Sequence, residues 1–188
     1  MRCGKELVLL SSKNLVDAFR GEDWQAVKSA IQGIESADVW REVLYELCLL
    51  SYVHDSIQEG FHTEWTIRGH RIREQAADDA LLLKALHVLL PTYRGSELTL
   101  FRGESASRYN GCAMGFAWTT SEDTARMFAR GLNAMHAGGG VLLSTHAPSE
   151  AIIAGPSKHS AYLQENEYVV DWRALRQIDL VDSFPCIA

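Results

Sequence analysis

The hydrophobic pattern changes period at Pro91. Before it, apolar residues recur at intervals of three and four; after it, short β-rich runs alternate with glycine-bearing turns. Helices first and strands afterwards predict an α+β fold, because an interleaved α/β sheet would mix the two periods along the chain. We therefore expect a helical segment over residues 1–92, packed on a β-rich core over residues 93–188. Ser12 is a candidate cap before Leu15, Val16 and Phe19, and Asp23 opens a helix with Trp24, Val27, Ile31 and Ile34 on one stripe. Ser36 is the next candidate cap, before Val39, Trp40, Val43, Leu44, Leu47 and Leu50. Gly60 and the stretch Thr66 to Gly69 read as breaks. Asp78 and Asp79 lead into a helix over Ala80 to Leu90, which Pro91 closes.

In the second half Tyr93-Arg94-Gly95-Ser96 is a turn, and Leu98 to Phe101 a strand ending at Arg102-Gly103-Glu104. Met114 to Thr120 reads as the next strand, with Ser121 capping a helix whose first turn carries Glu122 and Asp123. Ala125, Phe128 and Ala129 form that helix's inward face. Further strands are expected at Val141 to Thr145, Ile152-Ile153, Glu167 to Val170 and Ile178 to Val181, giving a mixed, mainly antiparallel sheet.

The net charge of -6 argues against loose electrostatic binding to nucleic acid or anionic membrane. Arg68, Arg71 and Arg73 are followed by Glu74, Asp78 and Asp79, which reads as a solvated helix face. Cys3, Cys48, Cys112 and Cys186 form no Cys-x-x-Cys pair, so a reducing compartment is expected and no structural zinc, with Cys48 in the core. The apolar run Leu7 to Leu10 is too short for a secretory signal or a span. The expected location is cytoplasmic, or inside another cell after delivery without a cleaved signal.

Three segments could carry chemistry. Arg102 offers a rigid fork suited to phosphate, beside Gly103, which lets a ligand approach the backbone. Trp118-Thr119-Thr120-Ser121 brings hydroxyls that can donate to a carboxylate or a ribose oxygen. In Glu165-Asn166-Glu167 two carboxylates share a side if the segment is a strand, close enough to repel and divide roles. Other groupings are weaker. His136, His146 and His159 match no common metal spacing, Ser144 and His146 are too close on one strand for nucleophile and base, and Gly138-Gly139-Gly140 lacks the lysine of a phosphate loop.

The order of these segments resembles the ADP-ribosyltransferase family of the arginine, Ser-Thr-Ser, Glu-x-Glu type, over Leu98 to Leu180. Leu100-Phe101-Arg102-Gly103 is similar to its first motif and Glu165-Asn166-Glu167 to its third. Either Trp118-Thr119-Thr120 or Thr119-Thr120-Ser121 stands for Ser-Thr-Ser. The resemblance implies an NAD-binding catalytic core that cleaves NAD, as co-substrate and without a metal, and transfers ADP-ribose to a target macromolecule, a protein first of all. Glu167 would bind the ribose and stabilise the cation, Arg102 and Gly103 would hold the phosphates, and Thr119 or Thr120 would orient Glu167 and the ribose. Trp118 and Phe128 would pack on the nicotinamide. Tyr162, in a polar loop over Gly155 to Gln164, and Glu165 would face the target, with Glu165 suited to an arginine acceptor. An NAD glycohydrolase and a non-catalytic interaction module on the same fold are the competing readings.

Overall fold

The computed structural model describes residues 13–34 and 37–187, so Cys3, the apolar run at 7–10 and the candidate caps Ser12 and Ser36 lie outside the described residues. The fold is α+β, and the chain divides into two units, Met1–Pro91 and Thr92–Ala188.

The first unit is helical: α1 over 13–20, α2 (Trp24–Gln32), α3 (Ala37–Leu47), α4 (Asp55–Ala76) and α5 (Asp79–Leu89). Asp23 caps α2 by accepting from the amides of Gln25 and Ala26, and Asp78 caps α5 by accepting from Leu81. The apolar stripes turn inward: Leu15, Phe19, Val27, Ile31, Val43, Leu44 and Leu47 are all buried. Phe19 meets Phe61 edge-on with ring centroids 5.7 Å apart.

Three expectations need correction here. Helix α4 runs unbroken through Gly60 and Gly69. Both glycines leave room for indoles: a Cβ at Gly60 would collide with the Trp24 ring, and one at Gly69 would come within 2.9 Å of the Trp65 ring. A glycine inside a helix costs about 1 kcal/mol against alanine, and ring packing offsets it. Thr66 lies within the helix, its hydroxyl donating to the His62 carbonyl. Nor is the arginine stretch uniformly solvated. Arg71 is exposed, but Arg73 grips Asp79 with two hydrogen bonds of 2.7 and 2.6 Å. Cys48 is half-buried at the end of α3 rather than in the core.

Gly60→Ala should therefore destabilise the protein by about 1–3 kcal/mol, because the overpacking cost exceeds the propensity gain. Urea unfolding midpoints of the two proteins decide it; a more stable variant would show that Trp24 swings aside freely.

The second unit holds one six-stranded antiparallel sheet in the order β4-β5-β2-β1-β3-β6. Its strands are β1 (Leu98–Ser105), β2 (Ala117–Thr119), β3 (Gly140–Ala147), β4 (Ile152–Ala154), β5 (Glu167–Val170) and β6 (Asp179–Phe184). Three helices interrupt them: α6 (Ala106–Asn110), α7 (Glu122–Arg130) and α8 (Lys158–Tyr162). One core cluster gathers Leu100, Met114, Trp118, Leu143, Ile152 and Val170. The small residues Ala125 and Ala129 of α7 pack with Leu142 and Phe101 in a second cluster. Among the described residues no helix is long and apolar enough to cross a membrane.

Several strand ends differ from expectation: β3 runs on to Ala147 and β6 to Phe184. β1 continues through Arg102, Gly103 and Glu104 to Ser105, because the charged pair is neutralised within the sheet rather than solvated. β2 spans only Ala117–Thr119, since the Met114 to Phe116 segment does not join the ladder as strand.

Candidate active site

Short strand β2 lies between β1 and β5 and aligns the three motifs. Phe101 pairs with Thr119, and Thr119 with Glu167, so these side chains form one row. Thr119 is buried, and its hydroxyl donates to the Glu165 carbonyl at 2.7 Å while accepting from the Ser121 amide at 3.1 Å. Ser121 in turn caps α7 by accepting from the Thr124 amide. Thr119 therefore positions the backbone of the acidic triplet. Thr120 is exposed beside it.

The triplet enters the sheet only at its last residue: β5 begins at Glu167, where the strand was expected. Glu165 and Asn166 precede β5, and Gln164 and Asn166 adopt left-handed conformations at φ 60° and 45°. Asparagine tolerates this region better than most residues. The turn is pinned from within. The buried Ser160 accepts the Glu167 amide on its hydroxyl at 2.6 Å, and its carbonyl accepts the amides of Glu165 and Asn166 at 3.1 and 3.4 Å. Ser160 lies in α8, a short helix capped by Ser157 where a polar loop was expected. Tyr162 ends that helix and is 83% exposed, free to meet another molecule.

Glu167 retains some exposed surface but is closely surrounded by protein. Desolvation raises its pKa to about 7; the Arg102 charge pulls it down and the Glu165 charge pushes it up. Glu165 and Arg102 thus both lie within electrostatic reach of Glu167.

Arg102 itself is one residue along from the Phe101 row, so its side chain leaves β1 on the other side. Its Nε and Nη2 donate to Glu104 at 2.9 and 2.7 Å, and its Nη1 donates to the Ala117 carbonyl. Three of its five N–H groups are thereby used inside the protein. Glu104, missed in the sequence, is fully buried and also accepts the amides of Ser105 and Gly115, each at 2.9 Å. Burial alone would raise its pKa, but the Arg102 charge and the Gly115 hydrogen bond outweigh that and hold it below the ordinary glutamate value. Gly115 lies so close to the guanidinium that a Cβ there would strike it.

Gly103 and Trp118 do not serve as expected. A Cβ at Gly103 would collide with the Ala125 carbonyl and the Ala129 amide, so the space beside this glycine is filled by the α7 backbone, not a ligand. Phe128 belongs to the same contact, its Cβ 2.9 Å from that point. Trp118 is a core residue with 1% exposure, which leaves its ring no free surface for a nicotinamide. Among the described residues its indole N–H meets no hydrogen-bond partner.

Scanned against protein-family models, curated proteins and solved structures, the chain matches none.

Proposed function

We propose that this chain cleaves the nicotinamide–ribose bond of NAD and transfers the ADP-ribose to a target protein, with an arginine side chain as an acceptor that Glu165 would suit. The observation that carries the proposal is the setting of Glu167: a desolvated carboxylate on a pinned turn, beside a second carboxylate and within reach of the Arg102 charge.

The chemistry follows from the charges. Nicotinamide leaves NAD neutral, so no acid is needed, while the ribose becomes cationic as in glycoside hydrolysis. An ionised Glu167 is poorly stabilised in the free protein, as its raised pKa shows. A positive ribose arriving beside it relieves that cost, so the stabilisation grows as the bond breaks. Thr119 and Ser160 hold the turn so that the carboxylate need not reorganise. The two remaining N–H groups of Arg102 are the donors for phosphate oxygens.

The test is incubation of the protein with labelled NAD, alone and with a cell lysate, followed by mass spectrometry. Label on a protein is the expected result. Nicotinamide release with free ADP-ribose as the sole product would make the chain a glycohydrolase, and no release under either condition would overturn the proposal.

The pH profile gives a second check. Glu167 must be ionised, so kcat/KM for nicotinamide release should rise with pH through about 7. Glu165→Gln removes a repelling charge and should move the midpoint down, whereas Arg102→Ala removes an attracting one and should move it up. Identical midpoints in all three proteins would mean that another group titrates.

A further inference from the structure

Resting on that reading of Glu167, we infer that Ser160 is its positioning residue: the hydroxyl and carbonyl of this one buried serine hold the whole acidic triplet in register with Thr119. The Oγ atom accepts from the Glu167 amide and the carbonyl oxygen from the amides of Glu165 and Asn166, so each of the triplet's three N–H groups ends on Ser160. Ser160 itself is fully buried, and its own amide is held by the Ser157 hydroxyl at 3.0 Å. On the other side the Thr119 hydroxyl holds the Glu165 carbonyl. The backbone between these anchors passes through left-handed Gln164 and Asn166, a conformation that costs free energy and persists only where surroundings enforce it.

Serine suits this task because its hydroxyl accepts within a short reach and adds almost no bulk. Alanine would leave the Glu167 amide without its buried acceptor and release the start of β5, precisely where the carboxylate leaves the backbone. A displacement of about 1 Å at a reacting group is enough to cost about 100-fold in rate. The residue touches no reacting atom in this scheme, so its effect belongs to kcat more than to NAD binding.

The experiment compares the full-length wild type with Ser160→Ala and with Thr145→Val. The latter removes another buried hydroxyl, bonded at 2.6 Å to the Gln177 carbonyl, on β3. Ser160→Ala should lower kcat for nicotinamide release by about 10- to 100-fold with KM within about threefold. By carbon-detected NMR the Glu167 carboxyl midpoint should fall from about 7 toward the ordinary glutamate value as water enters. Thr145→Val should do neither at a comparable loss of thermal stability. Ser160→Ala matching Thr145→Val in both kcat and the Glu167 midpoint would overturn the inference. Should the wild type release no nicotinamide, the NAD reading fails and the Glu167 titration alone decides Ser160: a fallen midpoint upholds it, an unchanged one overturns it. If the alanine variant does not fold, Ser160→Cys, of similar size but a weak acceptor, is measured in its place against the same two outcomes.

Discussion

Glu167→Gln should lower the proposed NAD cleavage by at least ~10²-fold and at the same time make the protein more stable above neutral pH. The two effects share one cause. Glu167 has a folded-state pKa of about 7 against an ordinary 4.5, so its ionised form is disfavoured in the folded protein. For an acid raised in this way, the stability present at low pH is lost as pH rises from the unfolded value through the folded one. At about pH 8 the full cost is on the order of 3 kcal/mol. Glutamine stays neutral and escapes it. Urea unfolding should thus find the variant about 2–3 kcal/mol more stable at about pH 8, with the gap shrinking below about 1 kcal/mol near pH 5. A variant that is inactive yet no more stable at high pH would deny that the carboxylate is held in an unfavourable setting.

The opposite outcome is expected two strands away, on β1. Glu104→Gln should destabilise the protein by about 3–5 kcal/mol, the usual cost of removing one partner from a buried ion pair. The fully buried carboxylate accepts two N–H groups from Arg102 and the amides of Ser105 and Gly115. Glutamine would turn one of those acceptors into a donor facing donors and leave the guanidinium without its counter-charge. Its depressed pKa fixes the pH sense: the stabilisation is present above the ordinary glutamate range and is lost as pH falls through the folded value. Combining Glu104→Gln with Arg102→Met should recover much of the loss, because the orphaned charge is then gone. Additive losses in that double variant, or a single-variant loss below about 1 kcal/mol, would show that the pair carries little.

The two predictions mark where residue patterns were informative. Periodicity located α2, α3, α5 and the strands after Pro91, though not α4, because it reports which side of an element is buried. It failed at Gly60, where the partner is a distant indole, and at Arg102 to Glu104, where charges stay inside a strand by pairing with each other. β5 was legible at Glu167 to Val170, but the turn before it was not, because the left-handed backbone at Gln164 and Asn166 leaves only a faint mark in sequence. Gly103 was read as a ligand approach, and the conformational logic was sound; the backbone that approaches is that of α7. Ser160 gave no signal at all. An isolated serine in a polar stretch acquires meaning only when folding brings three amides onto it.

The placement of β2 between β1 and β5 has a consequence in time. Helices α1 to α5 are made of local contacts and form quickly, whereas the sheet closes only through pairings between distant stretches of chain, which form slowly. The row Phe101–Thr119–Glu167 needs β5, the last made of its three strands, to dock beside strands made earlier. A growing chain can therefore hold its early strands and Arg102 while lacking Glu167. The proposed activity would then arrive all at once, when β5 docks.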